Sequence, residues 1–181
     1  WVCFYRGSEN DVLGRYYEAA KAFNSTIVVR MTADCPLIDP IIIDETIQLF
    51  IDKEANYTSN TVPPETSYFP DGSDVEVFDF NSLKRAYIEC KDKSDREHVT
   101  FYFWKYSNSF KTYQLIYEND YSGYRITVDY PEDFEVVKFL INEISKRKID
   151  GNMEEIISLL DANPSVRNNN SKYYFGIGWE K

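Results

Sequence analysis

Apolar positions recur along the chain at two spacings, and the spacings alternate. From Asn10 onward, Val12, Leu13, Tyr16, Tyr17, Ala20 and Phe23 fall at helical intervals, with Gly14 the weak point near the start. Residues 26–31 are continuous and largely β-branched, a short buried strand of the kind found in parallel sheets. Pro36 and Pro40 punctuate the loop after this strand, and Pro40 suits the first turn of a helix. That helix sets Ile42, Ile43, Ile47, Leu49 and Phe50 on a broad apolar face, with Asp44 and Glu45 near its positive end. Residues 56–74 are polar and rich in proline and turn formers, the best candidate for a long functional loop. Residues 74–80 alternate acids with Val75, Val77 and Phe78, as a strand does.

Residues 80–92 predict a short helix capped by Asn81 or Ser82. Residues 94–110 predict a capped helix that turns strongly aromatic, and residues 113–120 and 124–130 two more strands. The clearest helix opens at Pro131, with Glu132 and Asp133 in its first turn and basic residues at its end. A last helix from Glu154 runs into an irregular tail over residues 165–181, whose asparagines read as a solvated terminus. At the other end, residues 2–5 read as a strand. A chain opening inside such a run, without methionine, reads as a fragment or a processed product. Strands alternating with amphipathic helices predict one α/β domain over residues 1–181, with a mixed, mostly parallel sheet and helices on both faces.

Charge and cysteine usage then narrow the function. A formal net charge of -10 argues against nucleic-acid binding, which needs a basic face. It leaves room for a nucleotide site, because a bound cation can neutralise phosphates locally. Cys3, Cys35 and Cys90 lie far apart and are accompanied by one histidine, a poor basis for a zinc site. They fit free thiols in a reducing cytoplasm. No apolar run reaches the ~18 residues that span a membrane, and no signal-peptide pattern opens the chain.

Two acids share one kind of address. Asp34 follows the apolar strand that ends in RMTA, and Asp129 follows YRITV; each precedes a helix opened by proline or acids. In open α/β sheets ligands gather at the carboxyl ends of strands. Two carboxylates with open positions suit magnesium, which keeps several waters and meets phosphate oxygens. The alternative is that both acids are helix N-caps, which spacing alone favours for either one.

The runs RGSENDVLGRYYEAAK, VVRMTADCPLIDP, DGSDVEVF, DREHVT and RITVDYPEDFEVV occur in that order. Together they resemble the cytidylyltransferase family that makes CMP-activated sugar acids, in its spore coat polysaccharide biosynthesis protein F branch. The resemblance runs from about Tyr5 to the helix after Pro131. It implies a nucleotide-diphospho-sugar-transferase fold, Rossmann-like, and attack of a sugar oxygen on the α-phosphate of CTP with release of pyrophosphate. Asp34 and Asp129 would be the catalytic, magnesium-binding acids. Thr32, Gly7 and Ser8 would lie near the base, and Arg15 and Arg30 are candidates for phosphate or carboxylate contacts. Arg30 has the alternative of pairing with an acid across the sheet. Asp74, Val75, Glu76 and Phe78 would line the sugar side, with Arg96, Glu97 and His98 a motif of the branch near substrate. The implied partners are CTP and a sugar or sugar acid, and a homodimer formed through the aromatic segment or residues 56–74.

Some positions depart from the family pattern: Ala33 stands where glycine is usual, Ser73 lies within the DGSD turn, and Phe101 stands where proline usually follows the threonine. The family's N-terminal strand and Arg/Gly/Ser loop, which cradle the triphosphate, are missing. Two other readings therefore stand beside the enzyme: a truncated, non-catalytic binding module of the same fold, and a GT-A glycosyltransferase. The second lacks a D-x-D in which both acids follow one apolar strand.

Overall fold

Asp11 starts the regular structure. Its carboxylate accepts the Gly14 N–H at 3.0 Å, an N-cap, and the helical spacing after it forms α1 (Val12–Ala22). The computed structural model describes residues 2–177. The other elements are β1 (Ile27–Arg30), α2 (Pro40–Asp52), β2 (Tyr57–Ser59), β3 (Glu76–Asp79), α3 (Phe80–Glu89), α4 (Lys93–His98), α5 (Phe101–Lys105), β4 (Thr112–Gln114), α6 (Pro131–Arg147), α7 (Met153–Asp161) and α8 (Pro164–Arg167). The strands form one sheet in the order β1-β3-β2-β4. The mixed α/β architecture matches the expected fold class. The chain forms two compact units, one of Trp1–Arg30, Ile47–Thr58 and Glu76–Tyr113, the other of Met31–Thr46, Ser59–Val75 and Gln114–Lys181.

The first unit is built on an aromatic core. Leu13 and Ala20 of α1, Tyr57, Phe78, Leu83 and Ala86 of α3, and Tyr102 and Phe103 of α5 are buried together. Each such fully buried large side chain contributes about 1.5–3 kcal/mol. The Phe103 ring stacks on Tyr57 at 5.2 Å and on Phe78 at 5.4 Å, so Phe103 and its neighbours Phe101 and Tyr102 are buried, while Tyr106 lies exposed. Several local expectations change. β1 is half-buried at the sheet's edge and runs antiparallel to β3, with Arg30 opposite Glu76. Asp79, not Asn81 or Ser82, caps α3: its carboxylate accepts from the Ser82 N–H at 2.8 Å and the Ser82 hydroxyl at 2.6 Å. The aromatic helix is two short helices, broken at Val99, whose φ of 63° no α-helix continues. Residues 2–5 form no strand, and Val2 and Phe4 lie exposed.

In the second unit the apolar core joins Ile126 to Val136 and Leu140 of α6 and to Ile156, Leu159 and Leu160 of α7. α6 opens with Pro131, Glu132 and Asp133 as expected. The polar stretch that closes and follows β2 begins in the interior and only later reaches solvent: Ser59, Asn60 and Thr61 are fully buried, while Glu65, Thr66 and Tyr68 are exposed. The Asn60 side chain donates to the Ser73 carbonyl at 2.7 Å and accepts from the Val75 N–H at 2.8 Å, replacing the water these groups would otherwise need. Residues 124–128 are extended but form no named strand; a single parallel bridge pairs Arg125 with Asp71. Gly72 is what lets the two chain segments meet. Its φ is +102°, and a Cβ there would stand 2.2 Å from the Thr127 nitrogen. The asparagine run is not wholly solvated either: Asn170 is buried, and its side-chain N–H groups donate to the Arg125 carbonyl and to Asp133. Part of the expected tail, residues 178–181, lies outside the described residues.

Candidate functional site

Four acids follow or precede the extended runs of the second unit, and they divide the labour. Asp39 is buried and caps two helices, accepting the Ile41 N–H at 2.8 Å and the Met153 N–H at 3.0 Å. Asp133, fully buried, accepts the backbone N–H groups of Asp129 and Tyr130, both at 3.1 Å. Asp34 and Asp129 accept no backbone N–H in this way among the described residues. The thiol of Cys35 meets Asp34 Oδ1 at 3.6 Å, and Asp129 Oδ2 accepts from Arg125 at 2.7 Å. The capping explanation thus belongs to their neighbours, Asp39 and Asp133.

The backbone brings these two acids together. The Val128 N–H donates to the Asp34 carbonyl at 2.8 Å, and the Thr127 hydroxyl donates to the same oxygen at 3.1 Å. Residue 129 therefore comes directly after the point where the two runs are joined. A third carboxylate comes from the DGSD turn. Asp74 accepts from the Thr61 hydroxyl at 2.7 Å and the Gly72 N–H at 3.1 Å, and the Cys35 thiol lies 3.6 Å away. Cys35, buried between Asp34 and Asp74, has its thiol held protonated by burial and by the two carboxylates. Thr32 completes this corner, its hydroxyl 3.3 Å from the Cys35 sulfur.

Arg125 organises the other side. Its buried guanidinium binds Asp133 at 2.9 and 2.8 Å, Asp129 at 2.7 Å, and Asp71. Burial and the Asp74 and Asp129 carboxylates push Asp71 up to about 7, against the pull of Arg125. The site thus holds more carboxylate than its one arginine neutralises, which favours a cation. Among the described residues no group of three or more His, Cys, Asp or Glu is arranged to hold a metal by itself. Asp34 and Asp129, two carboxylates with oxygens still open, are the residues that would hold a hard divalent cation such as magnesium.

Apart from Val75, the other candidate residues lie in the first unit. Arg30 pairs with Glu76 across the sheet, and the Tyr57 hydroxyl donates to the same carboxylate at 2.5 Å. The sheet-pairing alternative for Arg30 is the one the structure adopts. Glu76 and Phe78 are buried there, and Val75 is buried in the second unit, so Asp74 is the member of that segment that joins the acids. Gly7 and Ser8 are exposed, with Arg15 donating to the Ser8 carbonyl at 3.1 Å. Arg96 binds Asp11, Glu97 is exposed, and His98 is half-buried and stacked 4.4 Å from Phe101. Arg125, Asp71 and Asp11 were not singled out by their sequence context, and Asp133 only as an acid in the first turn of α6. The one signal for Arg125 is its place four residues before Asp129 in RITVD.

Residues 1–163 match the Cytidylyltransferase family. An uncharacterized protein of Methanocaldococcus jannaschii is 35% identical over 173 residues, covering 94% of this chain and 68% of that protein. The spore coat polysaccharide biosynthesis protein SpsF of Bacillus subtilis is 31% identical over 165 residues, covering 90% of this chain and 66% of its own length. A solved cytidylyltransferase structure from Leptospira borgpetersenii serovar Hardjo-bovis superposes with a TM-score of 0.83 at 33% identity, over 94% of this chain and 70% of that one. The chain spans about two thirds of the length of these relatives.

Proposed function

The chain belongs to the cytidylyltransferase family, and from that premise we propose that it transfers CMP from CTP to a sugar or sugar acid, in the synthesis of a surface polysaccharide. The observation that carries this reading is the division of labour among the acids. Asp39 and Asp133 do the capping, while Asp34 and Asp129 keep carboxylate oxygens open beside a shared backbone junction.

A sugar oxygen attacks the α-phosphorus, the bond to the β-phosphate oxygen breaks, pyrophosphate leaves and the sugar hydroxyl loses its proton. Such a reaction asks the protein mainly for placement and charge neutralisation. Asp34 and Asp129 would hold magnesium, which supplies Lewis-acid neutralisation of phosphate charge. Arg125 fixes the Asp129 carboxylate, and the Asp34 backbone is fixed by Val128 and Thr127. Asp74 and the protonated Cys35 flank Asp34 and hold its side of the site. No described helix is long and apolar enough to cross a membrane, and we place the reaction in the cytoplasm with its nucleotide.

The test is pyrophosphate release from CTP and magnesium across a panel of sugars and sugar acids. Release for one acceptor, with loss in Asp34→Asn and Asp129→Asn, is the expected result. Full turnover in both variants would remove the two acids from the reaction.

A further inference from the structure

Arg96 lies far in sequence from the Gly7–Ser8 loop, yet it is bonded to the residue that sets the loop's position. Its Nε and Nη2 donate to the two carboxylate oxygens of Asp11 at 3.0 and 2.7 Å, a bidentate fork 85 residues apart in sequence. Its Nη1 donates to the carbonyls of Tyr87 and Cys90 at 3.1 and 3.0 Å, the end of α3. Four of the five guanidinium N–H groups are thereby used within the fold, which leaves little for a substrate. Asp11 in turn caps α1 through Gly14, and its backbone N–H donates to the Ser8 hydroxyl at 3.1 Å. From the other side Arg15 donates to the Ser8 carbonyl, and Gly7 packs so close that a Cβ would meet the Arg15 side chain at 3.0 Å. Beside the loop lies a hollow of about 160 Å³ lined by Tyr5, Gly7, Ser8, Asp11, Arg15 and Tyr87.

We propose that Arg96 is a positioning residue that, through Asp11, holds the Gly7–Ser8 loop in the shape that receives the nucleotide. This rests on the proposed cytidylyltransferase activity and on the place near the base that the family resemblance implies for Gly7 and Ser8. The bond to Arg96 holds the Asp11 carboxyl below the usual carboxylate range, so the clamp is ionic at neutral pH. Lysine retains the charge of Arg96 but not its planar fork, and it cannot hold two carbonyls and both carboxylate oxygens at once. Asparagine at 11 keeps an N-cap acceptor for α1 and removes the charge, so it loosens the clamp without unseating the helix.

The test compares wild type, Arg96→Lys, Asp11→Asn and the double variant, each checked for an unchanged melting profile. Two quantities are read: the rate of trypsin cleavage after Arg6 in nucleotide-free protein, and KM and kcat for CTP. We expect each single variant to be cleaved about tenfold faster, with KM for CTP about tenfold higher and kcat within about twofold. The double variant should be no worse than either single one, because both break the same contact. Cleavage unchanged in Arg96→Lys and Asp11→Asn would overturn the clamp, whatever CTP does. Faster cleavage with KM unchanged would overturn the link from loop to nucleotide, and with it the placing of Gly7 and Ser8 near the base. If Arg96→Lys does not fold, Asp11→Asn alone decides between these outcomes.

Discussion

Asp129 gives one carboxylate oxygen to Arg125 at 2.7 Å, while nearly half of its side chain stays open to solvent. Replacing it by asparagine keeps the shape and removes the charge. Because Asp133 keeps Arg125 paired, Asp129→Asn should fold normally and lose about 10²–10³-fold in kcat/KM, the usual effect of deleting one preorganised electrostatic partner. Asp34→Asn should behave alike, with unfolding midpoints close to wild type as the control. Gly72 makes the opposite prediction. An alanine there would drive a Cβ to 2.2 Å from the Thr127 nitrogen at a φ of +102°. Gly72→Ala should therefore lower stability by more than about 2 kcal/mol in urea unfolding.

At the scale of elements, the junction of residues 124–128 with α6 rests on a buried ionic network. Asp133 accepts from Arg125, from two backbone N–H groups and from Asn170. Removing the acid would take the bidentate partner from Arg125 and the acceptor from two backbone N–H groups and Asn170, so Asp133→Leu should cost about 3–5 kcal/mol in chemical denaturation, with Asn170→Ala costing about 1–3 kcal/mol. Much of this level was readable from the chain alone. α1 declares itself by its apolar spacing, and α6 by its opening proline, first-turn acids and apolar spacing, all of them local. Asp34 and Asp129 stood out as a pair because each closes an apolar run. The antiparallel partner of β1 was not readable, since a strand's direction is set by a neighbour distant in sequence, with Arg30 facing Glu76. Nor was the break at Val99, where a residue that suits helix or strand adopts a positive φ under tertiary constraint. The partner of Arg96 stayed hidden for the same reason, as did the contact of Arg125 with Asp71: Asp11 lies 85 residues from Arg96, and Asp71 lies 54 from Arg125.

For the molecule as a whole, a net charge of -10 opposes an anionic nucleotide, and the carboxylate excess around Asp71 opposes it again at the site. Chelating divalent cations should therefore abolish CTP binding in calorimetry without lowering the melting temperature. The pH dependence of stability has an assignable part, because His98 is the one histidine in the chain. Burial holds its pKa below the ordinary 6.5, so the unfolded chain binds that proton more tightly. Its contribution is fully present above about 6.5 and is lost as pH falls toward the folded value. The difference in unfolding free energy between wild type and His98→Phe should thus grow from about pH 5 to about pH 7. Asp71, raised to about 7, acts in the opposite sense but in both proteins, and cancels in that difference. The most direct measurement is pyrophosphate release from CTP, UTP, ATP and GTP with magnesium and an accepted sugar acid, for wild type beside Asp34→Asn and Asp129→Asn. Release with CTP above the other three, falling about 10²–10³-fold in both variants, is the outcome the two open carboxylates predict. Equal release in wild type and variants, or no preference for CTP, would contradict it.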